Sequence, residues 1–363
     1  MKKFLKLLPF LFAAVTILSA CSDDDENELK PGELTRGAYI LNYGGYSQNT
    51  SSITRYDYET DVLTPFYYQQ QNGGSKIGSA PQWIYQYNDR IYLVNNNPDR
   101  IIITNLLFSA QDTITTDVAT PRNCVAYGDY LYISCWGSNP DWAEMKDTYI
   151  LKYNLKTKSV EKKIMLAGGA EGLAVANGKL YAALNFKKVI AVMNLSSEAI
   201  TYIDTEAVSS YFLKDKNDNL YVSLVSTYSD PSVSTGLGLI NTQTDKIILY
   251  PLSDVSTSYS GVFTFNKART KIYILASAYD ANWNVVGSVK IFDVFLGKFE
   301  DDPLVSDITG INGVSVNPAD GKIYVFVSNG VSTNGDMLIF SPDETAEATK
   351  KVGASPAMAL FLD

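Results

Sequence analysis

Two short sequence patterns recur along the chain, each about every 47 residues on average, and they constrain the fold more than any other feature. The first pattern is an apolar residue followed by Tyr, directly after a turn stretch that is usually Asn, Asp or Gly. Its six contiguous copies end at Tyr92, Tyr132, Tyr181, Tyr221, Tyr273 and Tyr324. Because Asn, Asp and Gly tolerate the positive φ of tight turns, each copy predicts two antiparallel strands joined by a hairpin.

The second pattern is a strand that ends in a short polar residue before another turn. Its seven copies are at Asp57, Asn105, Asn154, Asn194, Asn241, Asp293 and Ser341. Two hairpins per repeat make four strands, and four-stranded sheets repeated around an axis are the blades of a β-propeller. The sequence therefore predicts an all-β, seven-bladed β-propeller with four antiparallel strands per blade. A β-sandwich would also alternate strands and turns, but it would not repeat seven similar units.

One hairpin of the first pattern is split between the two ends of the chain. Residues 37–41 (Gly-Ala-Tyr-Ile-Leu) can supply its second strand. Residues 356–362 open with Pro-Ala-Met, which is similar to Pro81-Gln82-Trp83, and can supply its first strand. We therefore expect the C-terminal strand to complete the first blade, within one domain of residues 37–363, and to leave no free sheet edge.

The N-terminal residues are typical of an export signal rather than of a folded element. Lys2, Lys3 and Lys6 precede an almost wholly apolar stretch from Leu7 to Leu18, and small residues follow it. This order predicts a cleaved signal peptide over residues 1–20. The apolar stretch is short for a spanning helix, which disfavours a retained membrane anchor.

Leu18-Ser19-Ala20-Cys21 resembles the bacterial lipobox. The resemblance implies cleavage before Cys21 and its acylation, which would lower the formal net charge from −9 to −12 because three lysines and no acids are removed. Residues 22–26 (Ser-Asp-Asp-Asp-Glu) resemble the acidic export signal of Bacteroidetes lipoproteins. We expect an outer-membrane lipoprotein facing the cell exterior, with the periplasmic leaflet as the alternative, and an acidic tether over residues 21–36.

Composition excludes several function classes. Histidine is absent, which removes the commonest general base and metal ligand and any imidazole-dependent triad. A net charge of −9 disfavours nucleic acid or an anionic membrane surface as a partner. We predict no catalytic residue and no metal site, although a carboxylate enzyme using Glu171, Asp280 or Asp141 stays an alternative. Cys124 and Cys135 are compatible with either a disulfide or two buried thiols.

In a propeller, loops that enter each innermost strand and loops that leave each second strand share one face and surround the central channel. All four tryptophans fall at or beside these loops, with amides, hydroxyls and an arginine among them. Aromatic faces with such polar groups are typical of a binding surface. The predicted ligand-binding residues are Trp83, Arg122, Trp136, Phe186, Tyr211, Tyr228, Tyr259, Tyr279, Trp283 and Asn312.

The repeated turn-apolar-Tyr hairpins, together with the lipobox and acidic tether, resemble the YncE-like propellers, and among them the BtuG-type surface lipoproteins. The resemblance covers the whole mature chain and implies capture of vitamin B12 and related corrinoids. It also implies delivery to a TonB-dependent outer-membrane transporter of the BtuB type. We expect no cofactor to be required. It assigns no ligand contacts, so the site residues depend on the loop argument alone. Without His, the protein cannot replace the lower axial base of a corrinoid. Cell-surface glycan binding is the main alternative, since aromatic side chains also stack on sugar rings.

Overall fold

The computed structural model describes residues 36–226, 235–252, 262–282 and 284–362. In chain order its elements are β1 (Gly37–Asn42), β2 (Ser52–Asp57), β3 (Val62–Thr64), α1 (Tyr67–Gln71), β4 (Ser79–Tyr87), β5 (Arg90–Asn97), β6 (Asp99–Thr104), β7 (Ala110–Ile114), β8 (Pro121–Tyr127), β9 (Tyr130–Cys135), β10 (Tyr149–Asn154), β11 (Ser159–Met165), β12 (Ala170–Ala176), β13 (Lys179–Leu184), β14 (Val189–Asn194), β15 (Ile200–Asp204), β16 (Val208–Lys214), β17 (Leu220–Val225), β18 (Thr235–Asn241), β19 (Lys246–Leu252), β20 (Phe263–Phe265), β21 (Lys271–Tyr279), β22 (Val285–Asp293), β23 (Lys298–Phe299), β24 (Val305–Thr309), β25 (Ile311–Val316), β26 (Ile323–Val327), β27 (Asn334–Phe340), β28 (Ala346–Ala354) and β29 (Pro356–Leu362).

These strands form seven antiparallel sheets, which confirms the predicted seven-bladed propeller. From the innermost strand outward, the blades are β29-β1-β2-β3, β4-β5-β6-β7, β8-β9-β10-β11, β12-β13-β14-β15, β16-β17-β18-β19, β20-β21-β22-β23 and β25-β26-β27-β28, numbered 1 to 7 in that order. Blade 6 departs from the four-stranded pattern because β24 also pairs with β22. Among the described residues, no helix is long and apolar enough to cross a membrane.

The two ends of the chain meet in blade 1, as the split hairpin predicts. Strand β29 is antiparallel to β1, with Gly37 opposite Leu362 at one end and Asn42 opposite Pro356 at the other. The C-terminal strand is thus the innermost strand of a blade whose other strands come from the N-terminus. This pairing closes the ring without leaving a free inner edge.

The core consists of apolar clusters between neighbouring blades. Each of the seven junctions between described blades contains one cluster of buried, mainly branched and aromatic side chains. The tyrosine of the first pattern lies in these clusters in every blade and is at most 4% exposed: Tyr39, Tyr92, Tyr132, Tyr181, Tyr221, Tyr273 and Tyr324. The pattern recurs because each blade needs a large side chain to fill the same space against its neighbour.

The short polar residue of the second pattern organises the turn that follows it. In every blade its side-chain oxygen accepts a hydrogen bond from a backbone N–H of the turn, as with Asn154 and the N–H groups of Lys156 and Thr157. This is the behaviour that makes Asp, Asn and Ser favourable in turns. The same turns place one residue with φ between +54° and +70° shortly before the outermost strand: Asp61, Phe108, Lys158, Glu198, Asp245, Gly297 and Glu344.

The blades define two faces. The loops before the innermost strands and after the second strands lie at one end, here called the upper face, and the two hairpin turns of each blade lie at the other, the lower face. Cys124 and Cys135 are buried in the cluster between blades 2 and 3, and both are unbonded. Of the two alternatives that the sequence left open, the structure therefore has the buried thiols, and burial raises the pKa of Cys135 to about 12.

Candidate functional site on the upper face

The upper end of the innermost strands is irregular in the same way in several blades. The pairing register with the second strand shifts between Pro81 and Trp83 and between Pro121 and Asn123. Equivalent shifts occur in blades 1, 4, 5 and 7. Such β-bulges redirect side chains at the end of a strand. The residues released from regular pairing are Gln82, Arg122, Glu171, Gly172, Ser210, Tyr211, Asn312 and Ala357.

Two glycines allow neighbouring innermost strands to approach closely at this level. A Cβ atom on Gly172 would lie 2.4 Å from the backbone oxygen of Ser210, and one on Gly313 would lie 1.7 Å from that of Ala357. No side chain fits at such distances, so only glycine is compatible with this packing. The close approach brings the bulged residues of successive blades next to one another around the central channel.

Arg122 and Glu171 form a bidentate ion pair between blades 3 and 4. Arg122 Nε donates to Glu171 Oε2 and Arg122 Nη2 donates to Glu171 Oε1, each at 2.9 Å. The side chain of Glu171 is only 3% exposed and that of Arg122 is 18% exposed. Burial alone would lower the pKa of Arg122, but the charge of Glu171 and its hydrogen bonds outweigh burial and raise it. Two opposite charges thus neutralise each other in a largely desolvated position.

Tyr211 connects this pair to the opposite side of the ring. Its hydroxyl donates to Glu171 Oε1 at 3.2 Å. Burial, followed by the negative charge of Glu171, raises the pKa of Tyr211 well above its usual value, so the hydroxyl remains a donor. The Tyr211 ring stacks on Trp83 of blade 2, with ring centroids 5.4 Å apart and planes 10° apart. Because blades 2 and 5 are not neighbours, the stacked pair lies across the channel.

Trp136, which directly follows β9, completes this group. The Arg122 guanidinium lies over its indole ring at 4.2 Å from the ring centroid, and the indole Nε1 donates to the backbone oxygen of Ala170 at 3.1 Å. Phe186 contacts the indole edge-on at 5.6 Å. We call Trp83, Arg122, Trp136, Glu171 and Tyr211 the mouth cluster.

Trp142 extends the aromatic surface toward solvent. It contacts Trp136 edge-on at 5.6 Å, is 65% exposed and has a φ of +54°. Its loop is braced by Asp141, whose carboxylate accepts backbone hydrogen bonds from Ala143, Glu144 and Met145. These hydrogen bonds lower the pKa of Asp141. The carboxylate therefore holds the loop in a conformation that a bulky residue seldom adopts.

The structure brings five of the predicted ligand-binding residues together: Trp83, Arg122, Trp136, Phe186 and Tyr211. Tyr279 lies half-buried at the upper end of β21, in blade 6. Asn312 is buried and donates to the backbone oxygen of Pro356 at 2.8 Å, which connects blade 7 to blade 1. Tyr228, Tyr259, Trp283 and Cys21 lie outside the described residues.

Three of the predicted ligand-binding residues are buried in the structure. Trp136, Tyr211 and Asn312 are each less than 9% exposed, because they pack against or hydrogen-bond to neighbouring blades. Glu171 and Tyr43 were absent from the predicted binding set. Glu171 pairs with Arg122, and the Tyr43 hydroxyl donates to the backbone oxygen of Gln82 at 3.2 Å. The polar residues Gln82, Arg122 and Asn312 at the equivalent position of other innermost strands are the sequence signal for Glu171.

The acids considered for a carboxylate enzyme have structural partners. Glu171 is fully engaged with Arg122 and Tyr211, and the Asp280 carboxylate accepts hydrogen bonds from the backbone of Asn282 and Asn284 within its own loop. Within the part of the chain that is described, no three side chains among Asp, Glu, Cys and His are grouped for metal binding.

A family model with the description "Domain of unknown function (DUF5074)" matches residues 36–352. The fold is similar to a quinonprotein alcohol dehydrogenase-like protein from Bacteroides thetaiotaomicron, with a TM-score of 0.67 and 14% identity over 91% of this chain and 79% of that one. It is also similar to a periplasmic gluconolactonase from Pseudomonas aeruginosa (TM-score 0.64, 12% identity, 90% and 99% coverage) and to hydrazine synthase from Kuenenia stuttgartiensis (TM-score 0.59, 12% identity, 74% and 80% coverage). No curated protein matches the chain. At these identities the structural likenesses show a shared propeller fold and no shared activity.

Proposed function

Since the chain belongs to the DUF5074 family, whose description names no activity, we propose a function from its upper face: non-catalytic capture of a corrinoid such as vitamin B12. In this proposal the protein is a lipoprotein anchored through Cys21 on the exterior of the outer membrane. It passes its ligand to a TonB-dependent transporter of the BtuB type and needs no cofactor of its own.

The observation that carries the proposal is the composition of the mouth cluster. Trp83 and Tyr211 stack across the channel, and the Arg122–Glu171 pair beside them has no net charge. A corrinoid has a broad ring with apolar faces and a fringe of neutral amides. Aromatic side chains suit such faces, and polar groups with compensated charge suit the fringe.

The acids of the upper face also favour binding over catalysis. A hydrolytic pair needs two carboxyl groups that can exchange protons with a substrate. The buried carboxylate of Glu171 instead accepts hydrogen bonds from Arg122 and Tyr211. Asp280 and Asp141 accept backbone hydrogen bonds. The N-terminal sequence, which lies outside the described residues, supports the anchored location through its lipobox and acidic tether.

Calorimetric titration of the mature, detergent-solubilised protein with cyanocobalamin tests this function. We expect saturable binding at about micromolar concentration or below, and a Trp83→Leu variant with at least about tenfold weaker affinity because the stacked pair is lost. Tyr202→Ser is the matched control, since Tyr202 is an exposed aromatic residue on the outermost strand of blade 4. Absence of binding to the wild-type protein would rule out corrinoid capture.

Glycan binding is a second candidate, favoured by Trp142. Its indole is 65% exposed on a loop fixed by Asp141, so one aromatic face is available to stack on a sugar ring. A glycan array probed with the wild-type protein and with Trp142→Ala separates the two functions. Glycan signals that depend on Trp142, without cyanocobalamin binding, would favour this candidate.

A further inference from the structure

The guanidinium of Arg122 is restricted on almost every side. Trp136 covers one of its faces at 4.2 Å, and its Nε and Nη2 atoms donate to Glu171. Nη1 has no hydrogen-bond partner within the described residues, and it is not fully buried. An arginine has five N–H donors, so the two on Nη1 remain available for a ligand on an otherwise fixed group.

The charge around this open donor decides what it can bind. An unpaired arginine would favour a carboxylate or phosphate, because a bidentate ion pair would neutralise it. Here Glu171 already occupies the other edge of the guanidinium, and Tyr211 donates to the same carboxylate. An incoming anion would place a second negative charge next to a carboxylate that is 3% exposed, where water screens little. An uncharged carbonyl oxygen would accept from Nη1 without that repulsion.

We propose that Arg122 Nη1 anchors an uncharged carbonyl group of the ligand, and that Glu171 is the specificity-determining residue that makes the site reject carboxylates. The inference rests on the proposed function, because the amides at the edge of a corrinoid are such carbonyl groups. Arg122 contacts the ligand directly, whereas Glu171 acts through Arg122 by orienting it and compensating its charge.

A pair of ligands that differ by one charge tests the inference. The first is cyanocobalamin, and the second set comprises its monocarboxylic acids, in each of which one propionamide is hydrolysed. At pH 7 we expect the wild-type protein to bind at least one of these acids about tenfold or more weakly than cyanocobalamin, which corresponds to about 1.4 kcal/mol. The acid that is most disfavoured identifies the amide bound by Arg122.

Glu171→Gln keeps the shape and one acceptor oxygen but removes the charge. We expect it to narrow the preference for the neutral ligand by about tenfold, because Arg122 then carries an uncompensated positive charge. The double variant Arg122→Gln/Glu171→Gln removes both charges and should weaken cyanocobalamin binding. Glu347→Gln is the control, since Glu347 pairs with Lys322 on the lower face and removes the same charge from the chain. A purely structural role for Glu171 would change both affinities equally.

The outcomes separate this inference from the proposed function. Wild-type discrimination that Glu171→Gln narrows and Glu347→Gln leaves unchanged supports the inference. Equal wild-type affinity for cyanocobalamin and all the acids overturns it while leaving corrinoid capture intact. If Glu171→Gln fails to fold, the affinities of the wild-type protein for cyanocobalamin and for its monocarboxylic acids still test whether the site rejects carboxylates. Failure of the wild-type protein to bind cyanocobalamin overturns the proposed function itself, and the inference with it.

Discussion

The two faces of the propeller hold neighbouring blades together in different ways. On the lower face, an acidic turn residue with positive φ forms an ion pair with a lysine of the preceding blade in four of the described turns: Asp61 with Lys350, Glu198 with Lys152, Asp245 with Lys179 and Glu344 with Lys271. On the upper face, the buried Arg122–Glu171 pair and the Trp83–Tyr211 stack have no equivalents among the described blades. The lower face thus repeats one kind of ion pair at four junctions, whereas the buried ion pair and the aromatic stack of the upper face each occur once among the described residues.

This difference predicts how mutations should act. Each lower-face pair is partly exposed and has counterparts at other junctions, so losing one weakens a single junction modestly. The mouth cluster joins blades 2, 3, 4 and 5 through connected contacts, and its charges are largely desolvated. Removing one of its members leaves the others without partners in a position that water cannot easily reach.

Arg122→Met should have the largest effect on stability. It leaves the buried carboxylate of Glu171 without its bidentate partner, and breaking such a pair from one side typically costs about 3–5 kcal/mol. Urea denaturation followed by tryptophan fluorescence measures the loss. A loss below about 1 kcal/mol would show that the upper face is as tolerant as the lower face and would remove the contrast.

The control for this experiment replaces both members of the pair. Arg122→Met/Glu171→Leu removes the unpaired charge, so it should recover most of the stability that the single variant loses, since apolar groups can replace a buried ion pair at little cost. If the double variant is less stable than Arg122→Met, the damage comes from lost packing rather than from the isolated carboxylate.

The same contrast explains how much of this molecule the sequence could predict. Each copy of the turn motif depends only on the local backbone, as the hydrogen bonds to Asn154 and Asn241 show. The repeated motifs therefore predict the blades, their number and the split first blade. The contact between the Trp83 and Tyr211 rings depends on bulges in two non-neighbouring blades. No local pattern encodes such a contact. The positions of the loops therefore predict that these residues share one face, but they do not predict that Trp83 and Tyr211 touch or that Glu171 joins Tyr211 to Arg122.

Gly313→Ala should lower the free energy of unfolding by an intermediate amount, because Gly313 lies at a close approach of two strands on the upper face. The added Cβ would lie 1.7 Å from the backbone oxygen of Ala357, so the innermost strands of blades 7 and 1 would have to separate. Overpacking of this kind typically costs about 1–3 kcal/mol.

Gly128→Asn is the control, because Gly128 lies in a lower-face turn at φ +58° with no atom near the position of a Cβ, and Asn tolerates that conformation. Thermal unfolding that ranks Gly128→Asn as the more harmful substitution would contradict the close-approach argument.

Glu198→Gln should lower the free energy of unfolding least. The pH dependence of this loss shows whether the charge of Glu198 is its cause. Hydrogen bonds from Lys162 and then Lys152 lower the pKa of Glu198 in the folded protein. A lowered pKa stabilises the fold above the unfolded value of about 4.3, and that stabilisation is lost as the pH falls through the folded value. The wild-type protein should therefore exceed the variant by about 1 kcal/mol or less at pH 7, and by progressively less below about pH 4. Glu144→Gln, which removes an exposed pair with Lys146 on the upper face, should change the free energy of unfolding little at pH 7. A difference between wild-type protein and Glu198→Gln that persists unchanged at pH 2 would mean that the Glu198 side chain contributes through packing and not through its ion pairs with Lys152 and Lys162.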